Sequence, residues 1–166
     1  MSCANMTYDF LDSEPAFAEF IDQFELGTLP KPIWTHGAHL AVGTWYLVTF
    51  SEDIAIGRVR TGIRHYNECV GTQNTADSGY HETLTLFWLS IIVGRLSELP
   101  GASRRLTLQE KLMVIRNVVE KFGGQRDLFR QYYSFDVVAS REARARWVQP
   151  DRIVSEAGNK STLRDI

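Results

Sequence analysis

The chain has 166 residues, of which 44% are hydrophobic and 23% charged, and its formal net charge is -2. That is the length of one domain with a sizeable core, which excludes a disordered tail as the main character of the protein. The near-neutral balance gives no general attraction to nucleic acid or to an anionic membrane.

Residues 1–12 read as a flexible N-terminus. Ser13-Glu14-Pro15 then predicts a helix start, with a capping side chain, an acid in the first turn and a proline where no donor is needed. Phe17, Phe20, Ile21 and Phe24 repeat at threes and fours, the stripe of a helix packed on a core. Gly27 and Pro30 end it.

The second predicted helix runs from about Trp34 or Thr35 to Phe50 and is apolar nearly all round, which places it centrally in the fold. Gly43 leaves room opposite His36 and His39, for a neighbouring helix or a ligand. Ser51-Glu52-Asp53 caps a third helix. Its buried face is Ile56, Val59, Ile63, Tyr66 and Val70, and Arg58, Arg60 and Arg64 form a wetter side. Asn67 lies on the apolar face and must find hydrogen-bond partners there. Gly71 to Gly79 is a polar loop without an apolar anchor and reads equally as a lid or as an ordinary surface connection.

A fourth helix is expected from Tyr80 to Leu96, apolar on most faces and packed centrally against the second. Pro100-Gly101 breaks the chain. Thr107-Leu-Gln-Glu110 is a capping box, followed by the stripe Leu112, Ile115, Val119 and Phe122. Short helices are expected around Asp127 to Tyr133 and Ser140 to Trp147. Arg141, Arg144, Arg146 and Arg152 read as a solvated face, and residues 151–166 as a polar tail. The expected fold is therefore all-α, a single-domain bundle over residues 13–150 with about five main helices and a short C-terminal one.

Cys3 and Cys69 do not make a disulfide framework, and Cys69 reads as a small buried residue. The first thirty residues lack a basic start followed by an apolar run, and the run Leu84 to Gly94 is too short to span a bilayer. A cytoplasmic location is expected, with no membrane and no nucleic-acid partner.

All four histidines lie between His36 and His81, beside aromatic residues. His36 and His39, three apart, share one helix face. His81 from the fourth helix is the expected third ligand of a single zinc or transition-metal ion, and His65 is a further candidate. Glu82 would act as an outer ligand or general base. Catalytic roles are assigned to Glu82, His81 and Tyr46, and substrate contacts to Trp34, Tyr66, Asn67, Tyr80, Thr85 and Trp88. No phosphate loop or dinucleotide fingerprint is present, so no nucleotide cofactor is expected. The partner is a small organic molecule, and homo-oligomerisation stays open.

The segments Trp34-Thr-His-Gly-Ala-His39-Leu, Arg64-His-Tyr-Asn67 and Tyr80-His-Glu-Thr-Leu-Thr85 resemble a family of small, mainly bacterial helical proteins. Ala143 to Asp151 resembles their C-terminal segment. The resemblance covers roughly residues 26 to 90 plus that tail. It implies a small helical domain and brings no activity, cofactor or catalytic residue.

Three functions compete. The first is a metal-dependent enzyme acting on a small organic substrate. The second is a metal-free isomerase, lyase or cyclase using a His/Glu acid–base pair. The third is a non-catalytic helical module that binds a ligand or a protein.

Overall fold

The computed structural model describes residues 8–99, 105–152, 155–156 and 159–160, the last two pairs as backbone only. Cys3, the Pro100-Gly101 break, residues 1–7 of the expected flexible N-terminus and most of the polar tail lie outside the described residues.

Six α-helices follow in chain order: α1 Glu14–Glu25, α2 His36–Thr49, α3 Glu52–Cys69, α4 Glu82–Glu98, α5 Leu108–Phe122 and the short α6 Arg141–Ala145. The fold is an all-α bundle of five main helices with a short C-terminal one. A 3-10 turn at Asp9–Leu11 precedes them, two more at Lys31–Ile33 and Leu128–Gln131 lie between them, and Ser155–Glu156 pairs antiparallel with Asn159–Lys160. No helix of the described residues is long and apolar enough to cross a membrane.

The caps explain where the helices begin. Ser13 accepts from the Ala16 amide, Thr35 from Ala38, and Thr107 and Glu110 close a complete capping box. Ser51 occupies the cap position of α3, but its side chain makes no capping bond. The start of α4 differs from expectation: Tyr80 is outside the helix, and His81 is its cap residue, Nδ1 accepting from the Leu84 amide at 3.3 Å.

Helix α2 is the axis of the bundle. It packs on α3, α4 and α5, with its most extensive contact to α5. Its apolar circumference is thereby used on three sides, which is why no single stripe stands out in its sequence. Gly43 serves the α2–α4 approach, since a Cβ there would lie 3.1 Å from Leu89 and 3.2 Å from Ile92. Helix α1 lays its phenylalanine stripe on α3 and α5.

Residues 8–12 are part of the bundle rather than loose. Phe10 stacks on Phe20 with ring centroids 4.1 Å apart, Leu11 is buried, and Arg116 Nε donates to the Leu11 carbonyl at 2.8 Å. A second apolar cluster, Phe87, Phe129, Tyr132, Tyr133, Val137 and Ala143, fastens the C-terminal part of the chain onto α4. Thr83, with no exposed surface, is the polar pin of that junction. Its hydroxyl donates to the Arg146 carbonyl at 2.7 Å and accepts from the Val148 amide at 2.9 Å.

The loop from Gly71 to Gly79 is held by polar anchors. The Asn74 side-chain oxygen accepts from Asn67 Nδ2 at 2.9 Å and from the Tyr80 amide at 3.0 Å, and its nitrogen donates to the Arg64 carbonyl. Asp77 takes a two-pronged ion pair from Arg141. Arg144 donates to the carbonyls of Gly79 and Tyr80. These arginines, read from sequence as a solvated face, thus clamp the loop. Gly79 has φ +74°, and a Cβ there would strike the Gln73 carbonyl at 2.5 Å, so the loop's return into α4 requires glycine.

Candidate functional site

A cavity of about 730 Å³ opens among α2, α3, α4 and the turn after α5. That volume suits a small organic molecule. Trp34, Tyr66, Tyr80, Trp88 and Phe129 supply aromatic wall, and Ile63, Leu84, Leu89 and Ile92 aliphatic wall. His36, His39, Asn67, His81 and Thr85 also line it, so nine sequence-assigned residues border one space.

His39 is the residue best placed for chemistry. Its Nδ1 lies 2.8 Å from the Thr35 carbonyl. A carbonyl only accepts, so Nδ1 carries the proton and Nε2 keeps a free lone pair. The ring packs on Trp34 with centroids 3.9 Å apart. The residue is solvent-exposed where it borders the cavity. Burial pushes its pKa down to about 4, and the charge of Arg126 adds to that fall.

His36, one turn earlier, packs on Trp88 at 4.5 Å. Its Nε2 has no hydrogen-bond partner. Its Nε2 is closed to solvent. Burial lowers this imidazole's pKa as well. Burial thus disfavours the charged form of both histidines on this face, and in His39 the Thr35 carbonyl fixes the proton on Nδ1.

His81 is differently employed. Nε2 donates to the Val137 carbonyl at 3.0 Å while Nδ1 caps α4. With both ring nitrogens committed and only 7% of the residue exposed, it ties the C-terminal cluster to the helix start. Among the described residues no group of three His, Cys, Asp or Glu side chains is spaced to hold a metal ion. The three-imidazole set expected from sequence is thus not brought together.

Glu82 is also tied. Its Oε1 accepts from Arg60 Nε at 2.8 Å and from Arg60 Nη2, its Oε2 from the Tyr80 hydroxyl at 2.7 Å, and Arg64 lies 3.8 Å away. Arg64 stacks over the Tyr80 ring at 4.1 Å. The carboxylate does not line the cavity. Burial and the Glu82 bond raise the Tyr80 pKa well above its ordinary value, so this phenol stays neutral.

Two expected site residues stand elsewhere. Tyr46 donates to Glu25 at 2.7 Å, away from the cavity. His65 lies on the exposed side of α3 with a ring nitrogen 3.6 Å from Cys69 Sγ, and Cys69, read as buried, is exposed. Tyr66 donates to the Leu29 carbonyl at 3.1 Å, which fixes its ring as wall.

Sequence reasoning missed the rim. Lys31, Arg126, Asp127 and Arg130 line the cavity, the last three from the turn after α5. The signal was a Gly123-Gly124 helix stop followed by three charges in five residues. Comparison with family models, with curated proteins and with solved structures finds no match to this chain, so the chemistry of the cavity stands on its own residues.

Proposed function

We propose that this protein is an enzyme that moves a proton on a small organic substrate, an isomerase, lyase or cyclase, with His39 as the proton acceptor. The observation that carries the reading is the 2.8 Å bond from His39 Nδ1 to the Thr35 carbonyl, which leaves Nε2 unprotonated on a residue bordering an aromatic-walled cavity. This is the pattern by which a backbone carbonyl sets an imidazole up as a base. Before substrate binds, His39 is a weak base. Negative charge on a substrate would raise its basicity through the same Coulomb interaction by which Arg126 lowers it. His81 and Glu82 act in this reading as supports of the cavity wall, and Trp34 and Trp88 as the faces between which the substrate lies.

Proton abstraction leaves a trace even where net turnover is slow: deuterium from heavy water enters the substrate. The test incubates the protein with a small-metabolite extract in D₂O and follows mass gain. Wild type and His65→Gln should label the same compound, and His39→Gln should not while keeping its helical circular dichroism. Labelling that persists in His39→Gln, or none above a protein-free control, would refute the reading. A variant that alters ligand affinity while wild type labels nothing would leave a binding module.

A further inference from the structure

The charged residues at the cavity are unbalanced. Three cations, Lys31, Arg126 and Arg130, line it against one carboxylate, Asp127. Arg130 and Asp127 already pair with each other, Nε to Oδ1 at 3.3 Å. The buried carboxylate nearest in sequence to the cavity residues, Glu82, is consumed by Arg60, Arg64 and Tyr80 outside it. Among the described residues, the side chains of Lys31 and Arg126 make no ion pair or hydrogen bond. Other arginines of the fold are engaged: Arg95 with Glu98, Arg116 with a backbone carbonyl, Arg141 with Asp77, Arg144 with two carbonyls. Arg126 is exposed at the rim, and its charge lowers the basicity of both His36 and His39.

We infer that the cavity takes an aromatic or branched aliphatic carboxylate, its charge held by Arg126 with Lys31 as a second cation. The inference rests on the reading of this cavity as a substrate site and names the class of its ligand. A planar guanidinium matches a carboxylate with two parallel hydrogen bonds. The apolar walls accept a ring or a branched chain. His39 Nε2 is an acceptor, so the same molecule would carry a hydroxyl or N–H donor on its inner end. Such a ligand satisfies the cation at the rim and the lone pair within.

The test compares acids with their uncharged partners by isothermal titration calorimetry at pH 7. The probes are benzoate, phenylacetate and salicylate, each beside its carboxamide. At least one acid should bind about twofold to fivefold more tightly than its amide, the range of one partly exposed charged contact. Arg126→Gln should abolish that preference, and Arg130→Gln, which removes an already paired charge, should leave most of it. Leu84→Trp, which fills the cavity, should weaken acid and amide alike.

Equal affinities for acid and amide, a preference that survives Arg126→Gln, or no acid bound at millimolar concentration would each overturn the inference. Equal affinities that both fall in Leu84→Trp would overturn the carboxylate and spare the cavity as a substrate site. Binding indifferent to Leu84→Trp would remove both.

Discussion

Replacing Glu82 by glutamine separates a structural carboxylate from a catalytic one. The side chain is 11% exposed, Arg60 is 37% exposed, and three close hydrogen bonds converge on the two carboxylate oxygens. Glutamine keeps one oxygen and the shape, but turns one acceptor into a donor and removes the charge. The bonds to Arg60 and to Tyr80 lose the carboxylate's charge at about 1 kcal/mol for each partner. The mismatched amide beside Arg60 or Tyr80 adds up to about 1 kcal/mol more, limited because Arg60 can turn to water. The expected loss is about 2–3 kcal/mol, which for a domain of this size lowers Tm by roughly 4–12 °C. Urea denaturation followed by circular dichroism reads it as a fall in midpoint at unchanged slope. Arg60→Met with Glu82→Leu should lose less than the sum of its single changes, because neither partner is stranded. A Glu82→Gln protein within about 0.5 kcal/mol of wild type would refute the argument and return this carboxylate to the pool of acid–base groups.

His81→Ala should cost roughly 1–3 kcal/mol, because it removes the α4 cap and strands the Val137 carbonyl; His81→Asn, still able to cap, should recover part, read by the same urea midpoint. Acid should weaken the fold. His36, His39 and His81 all have lowered folded pKa values, so between His39's value of about 4 and the ordinary 6.5 the unfolded chain binds more protons, and stability falls as pH drops through that window. For His39 the loss is roughly 1–2 kcal/mol after allowance for the water that reaches its ring, and NMR titration of its ring protons should find a midpoint well below the ordinary value. Thr83→Val keeps the shape but removes the two bonds to residues 146 and 148; it should speed proteolysis after Arg144 or Arg146 several-fold, and an unchanged rate would show that the apolar cluster alone holds this segment.

Local chemistry made the helices legible. Ser13-Glu14-Pro15 and Thr107 to Glu110 mark two starts, and the stripes of α1 and α5 are buried as their spacing requires. The aromatic and histidine segments around Trp34, Tyr66 and Trp88 were legible as neighbours of one space, because two all-apolar helices must lie inside. What each polar group does there was not, since its partner is remote in sequence. Glu82 finds Arg60 22 residues earlier, and His81 finds Val137 56 residues later. Nothing within a turn of either residue announces those partners. The arginine side of α3 was the available hint that a buried acid would be neutralised from there. Tyr46 was drawn to the site by its helix face, and the Glu25 carboxylate takes its hydroxyl elsewhere. The rim escaped notice because it sits on a turn without periodicity.

Two of the cavity's imidazoles each pack on an indole, His39 on Trp34 and His36 on Trp88. Indole emission is quenched on contact with imidazolium and shifts in colour as water leaves its surroundings. The protein therefore carries two optical reporters in the walls of its own cavity, and Phe replacement of one at a time would let unlabelled protein show, by its intrinsic glow, what enters and whether a proton comes with it.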